Sequence, residues 1–361
     1  MMRRREFVTG LAALSGLITA SCGWRLGDVR ASSVTYGAVD KLHLFTWTQY
    51  TDSKLLKNFS TLSGIKVLVD IYDSNEMMLA KLQASGGGDY SLIYPSDYMI
   101  EKMVNKGLLK QLNHKRIIGL DNLFPQFQNP EYDPNNSYSV PMIWGTTGFI
   151  YNSEILKTAP EDWDYLWQNR TKLSKRITLV NDTREVIGGA LKMLGYSYNS
   201  QNEKQIEQAY KKLQILKPHI AAFTTDGWRN QIMSGDLVLA MCYSSNALEL
   251  TRENPKLKYV TPKSGSSLWT DAIALPKTSS NIDGAYEWIN FMLKPEVTAR
   301  ISQRLGIAIT NRAAFELLPE KIQNNPILFP PEDILNKCER LSPLGKIEEV
   351  YERYWTKLTS A

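Results

Sequence analysis

Leu42-His43-Leu44-Phe45-Thr46-Trp47 is a run of strand formers, and the residues after it decide the fold class. Leu55, Phe59 and Leu62 recur at helical spacing and stop at Gly64, a natural C-terminal cap. Ile65, Val67, Val69 and Ile71 then alternate as a half-buried strand does. Asp73-Ser74-Asn75-Glu76 has capping-box spacing and opens a second helix, which Gly86-Gly87-Gly88 closes. Leu92-Ile93-Tyr94 reads as a short strand, and a helix carrying Tyr98, Met99, Met103 and Val104 ends at Gly107. Strand and helix alternating this regularly predict an α/β layer structure.

Downstream, a looped stretch runs from Phe124 to Tyr138 before the alternation resumes. Arg176–Val180 is a predicted strand, and a helix from about Thr183 to Leu194 ends at Gly195. Ile206, Tyr210 and Leu213 mark a helix that Pro218 terminates. Leu237–Tyr243 and Ala272–Leu275 are apolar strands, and two helices come next, around Ala285–Leu293 and Val297–Arg304. The last helix places Ile347, Tyr351, Tyr354 and Leu358 on one stripe. A chain of 361 residues suits two domains, here two α/β lobes that divide near Trp144.

Upstream, Arg3-Arg4-Arg5-Glu6-Phe7 is a basic start, Leu11–Ala20 a short apolar middle, and Thr19-Ala20-Ser21 a run of small residues before Cys22. That order describes an export signal over residues 1–22, with a buried N-terminal helix as the alternative. The paired arginines before Phe7 resemble a twin-arginine signal, and Cys22 is the lipidation candidate of a lipoprotein box. Residues 23–40 read as a tether. The formal net charge of +5 is too small and too dispersed for a nucleic-acid footprint. Three cysteines and three histidines are too scattered for a metal site, although Cys242 and Cys338 could pair in an oxidising compartment.

Chemistry by motif is absent. No phosphate-binding glycine loop, dinucleotide fingerprint, zinc helix or nucleophile elbow occurs, so no cofactor and no enzyme activity are expected. What remains is four patches of aromatics and carboxylates beside strand ends: Trp47-Thr48-Gln49-Tyr50, Tyr94-Pro95-Ser96-Asp97-Tyr98, Asp182-Thr183-Arg184-Glu185 and Trp269-Thr270-Asp271. Ligands of open α/β sheets sit at the carboxyl ends of strands. Ring faces attract organic cations, and carboxylates give them charge-assisted hydrogen bonds. Taken singly, each patch also has a structural reading. Asp182 serves equally as a helix cap, and Trp47 and Trp269 as core.

Together the patches resemble a family. Phe45-Thr46-Trp47-Thr48-Gln49-Tyr50, Tyr72-Asp73-Ser74-Asn75-Glu76, Tyr94-Pro95-Ser96, Asp133-Pro134-Asn135-Asn136 and Pro141-Met142-Ile143-Trp144-Gly145 resemble the periplasmic spermidine/putrescine-binding proteins. So do Asn181-Asp182-Thr183-Arg184-Glu185-Val186, Leu194-Gly195-Tyr196, Leu268-Trp269-Thr270-Asp271 and Trp288-Ile289-Asn290-Phe291-Met292-Leu293. The resemblance runs from about Leu42 to Leu358 and implies a two-lobed, type II-like periplasmic binding fold, each lobe a mixed sheet flanked by helices and joined by hinge crossovers. Lobe 1 would be 41–145 plus 271–315, and lobe 2 would be 146–270 plus 316–361. The family's ligand positions fall on Trp47, Thr48, Gln49, Tyr50, Ser96, Tyr98, Asp182, Glu185, Tyr243, Trp269 and Asp271. The chain departs from the family at Gln49, where a carboxylate is frequent, and at Tyr243, where a tryptophan is. Ile307 and Leu341 stand where a tyrosine and a glutamine contact ligand.

The implied protein is a monomeric extracytoplasmic receptor that closes on a polyamine and delivers it to the membrane permease of an ABC transporter. It would touch the membrane only through an anchor at Cys22. Asp182, Glu185 and Asp271 supply three negative charges for a triply protonated spermidine, with Trp47, Tyr243 and Trp269 as walls for its methylenes. Gln49 and Asp271 are expected outside the core. The alternatives are a receptor for another cationic or zwitterionic solute and, from a different class, an exported hydrolase using a carboxylate pair.

Overall fold

Eleven runs of strand-forming residues join one mixed sheet. In the computed structural model the described residues are 41–48, 50–84, 86 and 90–360. The export signal, the tether, Cys22, Gln49 and Gly87-Gly88 lie outside them. The strands are β1 (Lys41–Thr46), β2 (Lys66–Ile71), β3 (Leu92–Ile93), β4 (Ser139–Asn152), β5 (Ile177–Leu179), β6 (Ile220–Phe223), β7 (Leu239–Tyr243), β8 (Leu257–Val260), β9 (Ser267–Ala274), β10 (Ala308–Ile309) and β11 (Glu339–Arg340). Their order is β2-β1-β3-β9-β4-β7-β5-β6, with β8 and β10 on β4 and β11 on β9.

Two parallel trios stand out. β1 pairs parallel with both β2 and β3, and β5 pairs parallel with both β6 and β7. Between them lie β9 and β4, antiparallel to each other. β4 pairs with β9 through residues 139–146 and with β7 through 147–151, so one strand serves both halves. The result is a two-lobed α/β fold. Leu42, Leu44, Phe59, Trp288 and Phe291 share an apolar cluster by the first trio. Phe149, Trp163, Ile177, Leu179 and Leu213 share another by the second. Each such side chain contributes about 1.5–3 kcal/mol when fully buried.

Helix ends obey local chemistry. Asp52 caps the helix Ser53–Ser63 by accepting from the Leu55 N–H at 2.7 Å, and Gly64 closes it in the left-handed region, at φ +75°. The helix Asn75–Ala84 is capped by Ser74, whose hydroxyl accepts from the Met77 N–H. Capping-box spacing points to Asp73 instead; with Ser74 in the role, that carboxylate is available elsewhere.

Several expectations need correction. Leu62 is 66% exposed, because the helix Ser53–Ser63 buries only Leu55 and Phe59, and Ile71 is 52% exposed, because β2 is the outermost strand and one of its faces is open. β4, the longest strand, has no counterpart in the periodicity reading. It is buried along its whole length, so alternation vanishes, and Pro141, Gly145 and Gly148 look like turn residues. Pro141 sits where the register with β9 shifts, a place a ladder tolerates proline. Trp269 and Asp271 lie inside β9, not beside a strand end. Cys242 and Cys338 are both free thiols.

Candidate functional site

Every strand of both trios ends at one cavity. Trp47, Thr48 and Tyr50 come after β1; Tyr72, Asp73 and Asn75 after β2; Ser96 and Tyr98 after β3. From the other trio, Asp182 and Glu185 come after β5, Thr225 and Asp226 after β6, and Tyr243, Ser245 and Asn246 lie at the end of β7. β9 adds Trp269 and Asp271, and Leu341 comes just past β11. The empty space among them, solvent at its mouth included, is ≈ 690 Å³, a small-molecule size. Five carboxylates line it and, among the described residues, no Lys, Arg or His does.

Asp271 is held from the first trio. The Ser96 hydroxyl donates to Oδ1 at 2.6 Å and the Tyr50 hydroxyl donates to Oδ2. A bridge between Ser96 and Asp271 pins the segment after β3 to β9. Asn75 supports Ser96 in turn, giving its Nδ2–H to the hydroxyl at 2.9 Å and accepting the Ser96 N–H at 3.1 Å. Asn75 Nδ2 also reaches the Tyr98 hydroxyl, which donates to Glu76. Asp271 is only 4% exposed, against the expectation that it lies outside the core. Burial pushes its carboxyl up to about 7, although the Ser96 and Tyr50 hydroxyls pull the other way. It is a carboxylate with hydrogen bonds but no cation.

Asp182 and Glu185 share the first turn of the helix Thr183–Met193. Asp182 is the cap, accepting the Glu185 N–H at 3.0 Å. Glu185 does not complete the box. Its two oxygens instead accept from the Ser267 hydroxyl at 2.7 and 2.8 Å. Burial and then the neighbouring Asp182 charge push Glu185 up to about 8, and burial raises Asp182 as well. Glu185 therefore keeps its proton near neutrality. Arg184 lowers both but faces away, donating to the Ser342 carbonyl at 2.9 Å and to Asn199 at 2.7 Å.

Aromatic rings form the walls. Trp47 donates its indole N–H to the Tyr94 carbonyl at 3.0 Å and lies 4.6 Å from the Tyr72 ring. Tyr243 and Trp269 meet edge to face at 5.7 Å. Gly145 makes room for Trp269, since a Cβ there would stand 2.4 Å from the indole and 2.6 Å from the Ser244 hydroxyl. Cation attraction by such faces, when desolvated, is worth about 0.5–2 kcal/mol.

The structure gathers Trp47, Thr48, Tyr50, Ser96, Tyr98, Asp182, Glu185, Tyr243, Trp269 and Asp271 around this one cavity; Gln49 lies outside the described residues. Leu341 is there too, whereas Ile307 is buried and does not line it. The lining residues that sequence inspection does not single out as ligand contacts are Tyr72, Asp73 and Asn75 after β2, Thr225-Asp226 after β6 and Ser245-Asn246 after β7. The rule that ligands meet the carboxyl ends of strands finds them once β6 is recognised as a strand.

Residues 54–330 match the family model of the bacterial extracellular solute-binding proteins. The spermidine/putrescine-binding periplasmic protein of Salmonella typhimurium is 37% identical over 321 residues, covering 88% of this chain and 91% of the relative. Spermidine/putrescine-binding periplasmic protein 1 of Haemophilus influenzae is 33% identical over 357 residues, covering 96% and 99%. Among solved structures, the spermidine/putrescine ABC transporter substrate-binding protein PotD of Streptococcus pneumoniae, in complex with calcium and HEPES, matches with a TM-score of 0.74 at 35% identity. That match covers 88% of this chain and 99% of the other.

Proposed function

The chain belongs to the bacterial extracellular solute-binding proteins, among the periplasmic spermidine/putrescine-binding proteins, and on that premise we propose that its cavity captures a polyamine, spermidine or putrescine. The protein then hands the amine, chemically unchanged, to the membrane permease of an ABC importer. One observation carries this reading: five carboxylates and several aromatic rings line a cavity into which, among the described residues, no cationic side chain enters. A buried charge without a partner costs several kcal/mol. An ammonium ligand is the missing partner.

In this reading Asp271 takes one ammonium group, and the Asp182–Glu185 pair takes another while Glu185 gives up its proton. Trp47, Tyr243 and Trp269 cover the methylenes, and Thr48, Tyr50, Ser96 and Tyr98 fix the carboxylates and the ends of the ligand. Gln49 fills the family's carboxylate position without its charge. The lobes are 41–145 plus 271–315 and 146–270 plus 316–361, closing on the amine as a clamp because only the closed form makes both sets of contacts. Calorimetry with putrescine, spermidine, spermine and one amino acid tests the class. Micromolar or tighter binding of at least one polyamine is expected; an amino acid bound more tightly than every polyamine, or an amine consumed during the titration, sinks the reading.

A further inference from the structure

Besides Asp271 and the Asp182–Glu185 pair, the cavity has another acidic pole with a different construction. We propose that Asp226, braced by Asn246, is a subsite for a terminal ammonium group, and that it sets the preference for amines charged at both ends. The proposal rests on the polyamine reading and refines it.

Asp226 stands just past β6, the outermost strand of the second trio, and lines the same cavity as Asp271. Two donors approach its carboxylate, and both go to one oxygen. Asn246 Nδ2 donates to Oδ1 at 3.2 Å, and Arg229 Nε donates to the same Oδ1 at 3.3 Å. Oδ2 has no hydrogen-bond partner among the described residues. A carboxylate gripped by one oxygen keeps its orientation while its second oxygen, with two lone pairs, stays available. Asn246 is itself 6% exposed, and its own Oδ1 accepts from the Ser245 hydroxyl at 3.2 Å, so the brace is rigid.

Arg229 does not belong to Asp226 alone. Its guanidinium is shared with Glu249. Asp226 also keeps 39% of its side chain exposed, so water still reaches the carboxylate in the empty site. Asp271 and Glu185 are dry by comparison.

Position gives the ligand its chemistry. Along the sheet order the acidic groups other than the exposed Asp73 fall as Asp271 on β9, Asp182 and Glu185 after β5, and Asp226 after β6, with the Tyr243 ring of β7 between Asp271 and Asp182. A monoamine satisfies one pole. A linear triamine, with methylenes separating its nitrogens, can satisfy all three.

The test is calorimetry on wild type, Asp226→Asn and Asn246→Ala with spermidine, N1-acetylspermidine and N8-acetylspermidine, each acetyl group erasing the charge of one end. Asp226→Asn should weaken spermidine about 10- to 100-fold, the size of one charge-assisted hydrogen bond. It should leave unchanged the binding of whichever monoacetylated form already lacks the ammonium at this pole. Asn246→Ala keeps the carboxylate and loses its brace, so a smaller loss of about threefold or more with the same acetylation pattern is expected. The substitution Asp226→Asn leaves Arg229 paired with Glu249, and the unliganded melting temperature monitors its fold. Spermidine binding equal to wild type in both variants, or equal losses for all three amines, overturns the subsite alone. Wild type binding none of the amines overturns the polyamine reading and the subsite with it.

Discussion

β1, β2 and β3 end in Trp47, Tyr50, Tyr72, Asn75, Ser96 and Tyr98, whereas β5, β6 and β7 end in Asp182, Glu185, Asp226, Tyr243, Ser245 and Asn246. The first trio brings rings and neutral hydrogen-bonding groups that are tied to one another, and its one lining carboxylate, Asp73, is exposed. The second brings charge: Glu185 is buried, Asp182 half-buried, and Asp226 keeps 39% of its side chain exposed. Asp271, on β9 between the two trios, belongs chemically to neither half. Its charge acts with the second trio, but its orientation comes from Tyr50 and Ser96 of the first. One side of the cleft arranges and the other charges, so substitutions on the two sides should fail in different ways.

Asp271→Asn tests the junction and should have the largest effect. It keeps the shape and removes the charge, and truncating one partner of a buried ion pair costs about 2–5 kcal/mol, roughly 30- to several-thousand-fold in spermidine affinity. Calorimetry near pH 8, where the wild-type carboxyl is ionised, is the measurement; wild-type affinity would remove Asp271 from the ligand model. Because the carboxylate is dry and unpaired when the site is empty, the unliganded variant should melt no lower than wild type.

Gly145→Ala should break the arranging side. The added methyl collides with the Trp269 indole and the Ser244 hydroxyl, and overpacking of this kind costs about 1–3 kcal/mol. A lower melting temperature together with weakened spermidine binding is expected. An unchanged Trp269 fluorescence spectrum and affinity would show that the ring does not need this space.

Glu185→Gln sharpens the charging side with a smaller loss. Glu185 holds a proton up to about pH 8 in the empty site, so near pH 7 the neutral amide resembles its resting state. About a tenfold loss of affinity is expected at pH 8.5, where a charge-assisted bond is at stake, shrinking as pH falls below 7. A loss independent of pH would contradict a proton held on Glu185.

The smallest effect is on the empty protein. Asp271 and Glu185 have folded values near 7 and 8, above their unfolded values of about 4. The folded state therefore binds more protons than the unfolded state between those limits. The stability these groups contribute is fully present below about pH 4 and is lost as pH rises through 7 and 8. Carboxylates lowered by partners, such as Asp70 and Glu339, change only at more acid pH and do not mask the trend. Unliganded protein should melt lower at pH 8.5 than at pH 5.5, and spermidine should raise the melting temperature more at pH 8.5. A melting temperature that climbs across this range would refute the assignment.

Much of this was legible in the chain itself. The helix ends at Gly64 and Asp182, the first strand, and the clustering of aromatics with carboxylates after β1, β3 and β5 all rest on interactions within a few residues, which is the range that periodicity and caps report. β4 escaped because burial on both faces leaves no period to read. Asp73 escaped because its capping-box spacing to Glu76 reads as a helix cap, a role that Ser74 takes instead.

Composition and motifs determined an α/β chain with no recognisable catalytic machinery, and a set of residues suited to an organic cation. The tertiary structure alone decided which carboxylates are dry, which are braced and which are shared. Tyr50 and Asp271 are 221 positions apart, and Ser267 and Glu185 are 82 apart. A carboxylate's ionisation depends on how much water it loses and which donors face it, and both are set by strands that meet only when the sheet is complete.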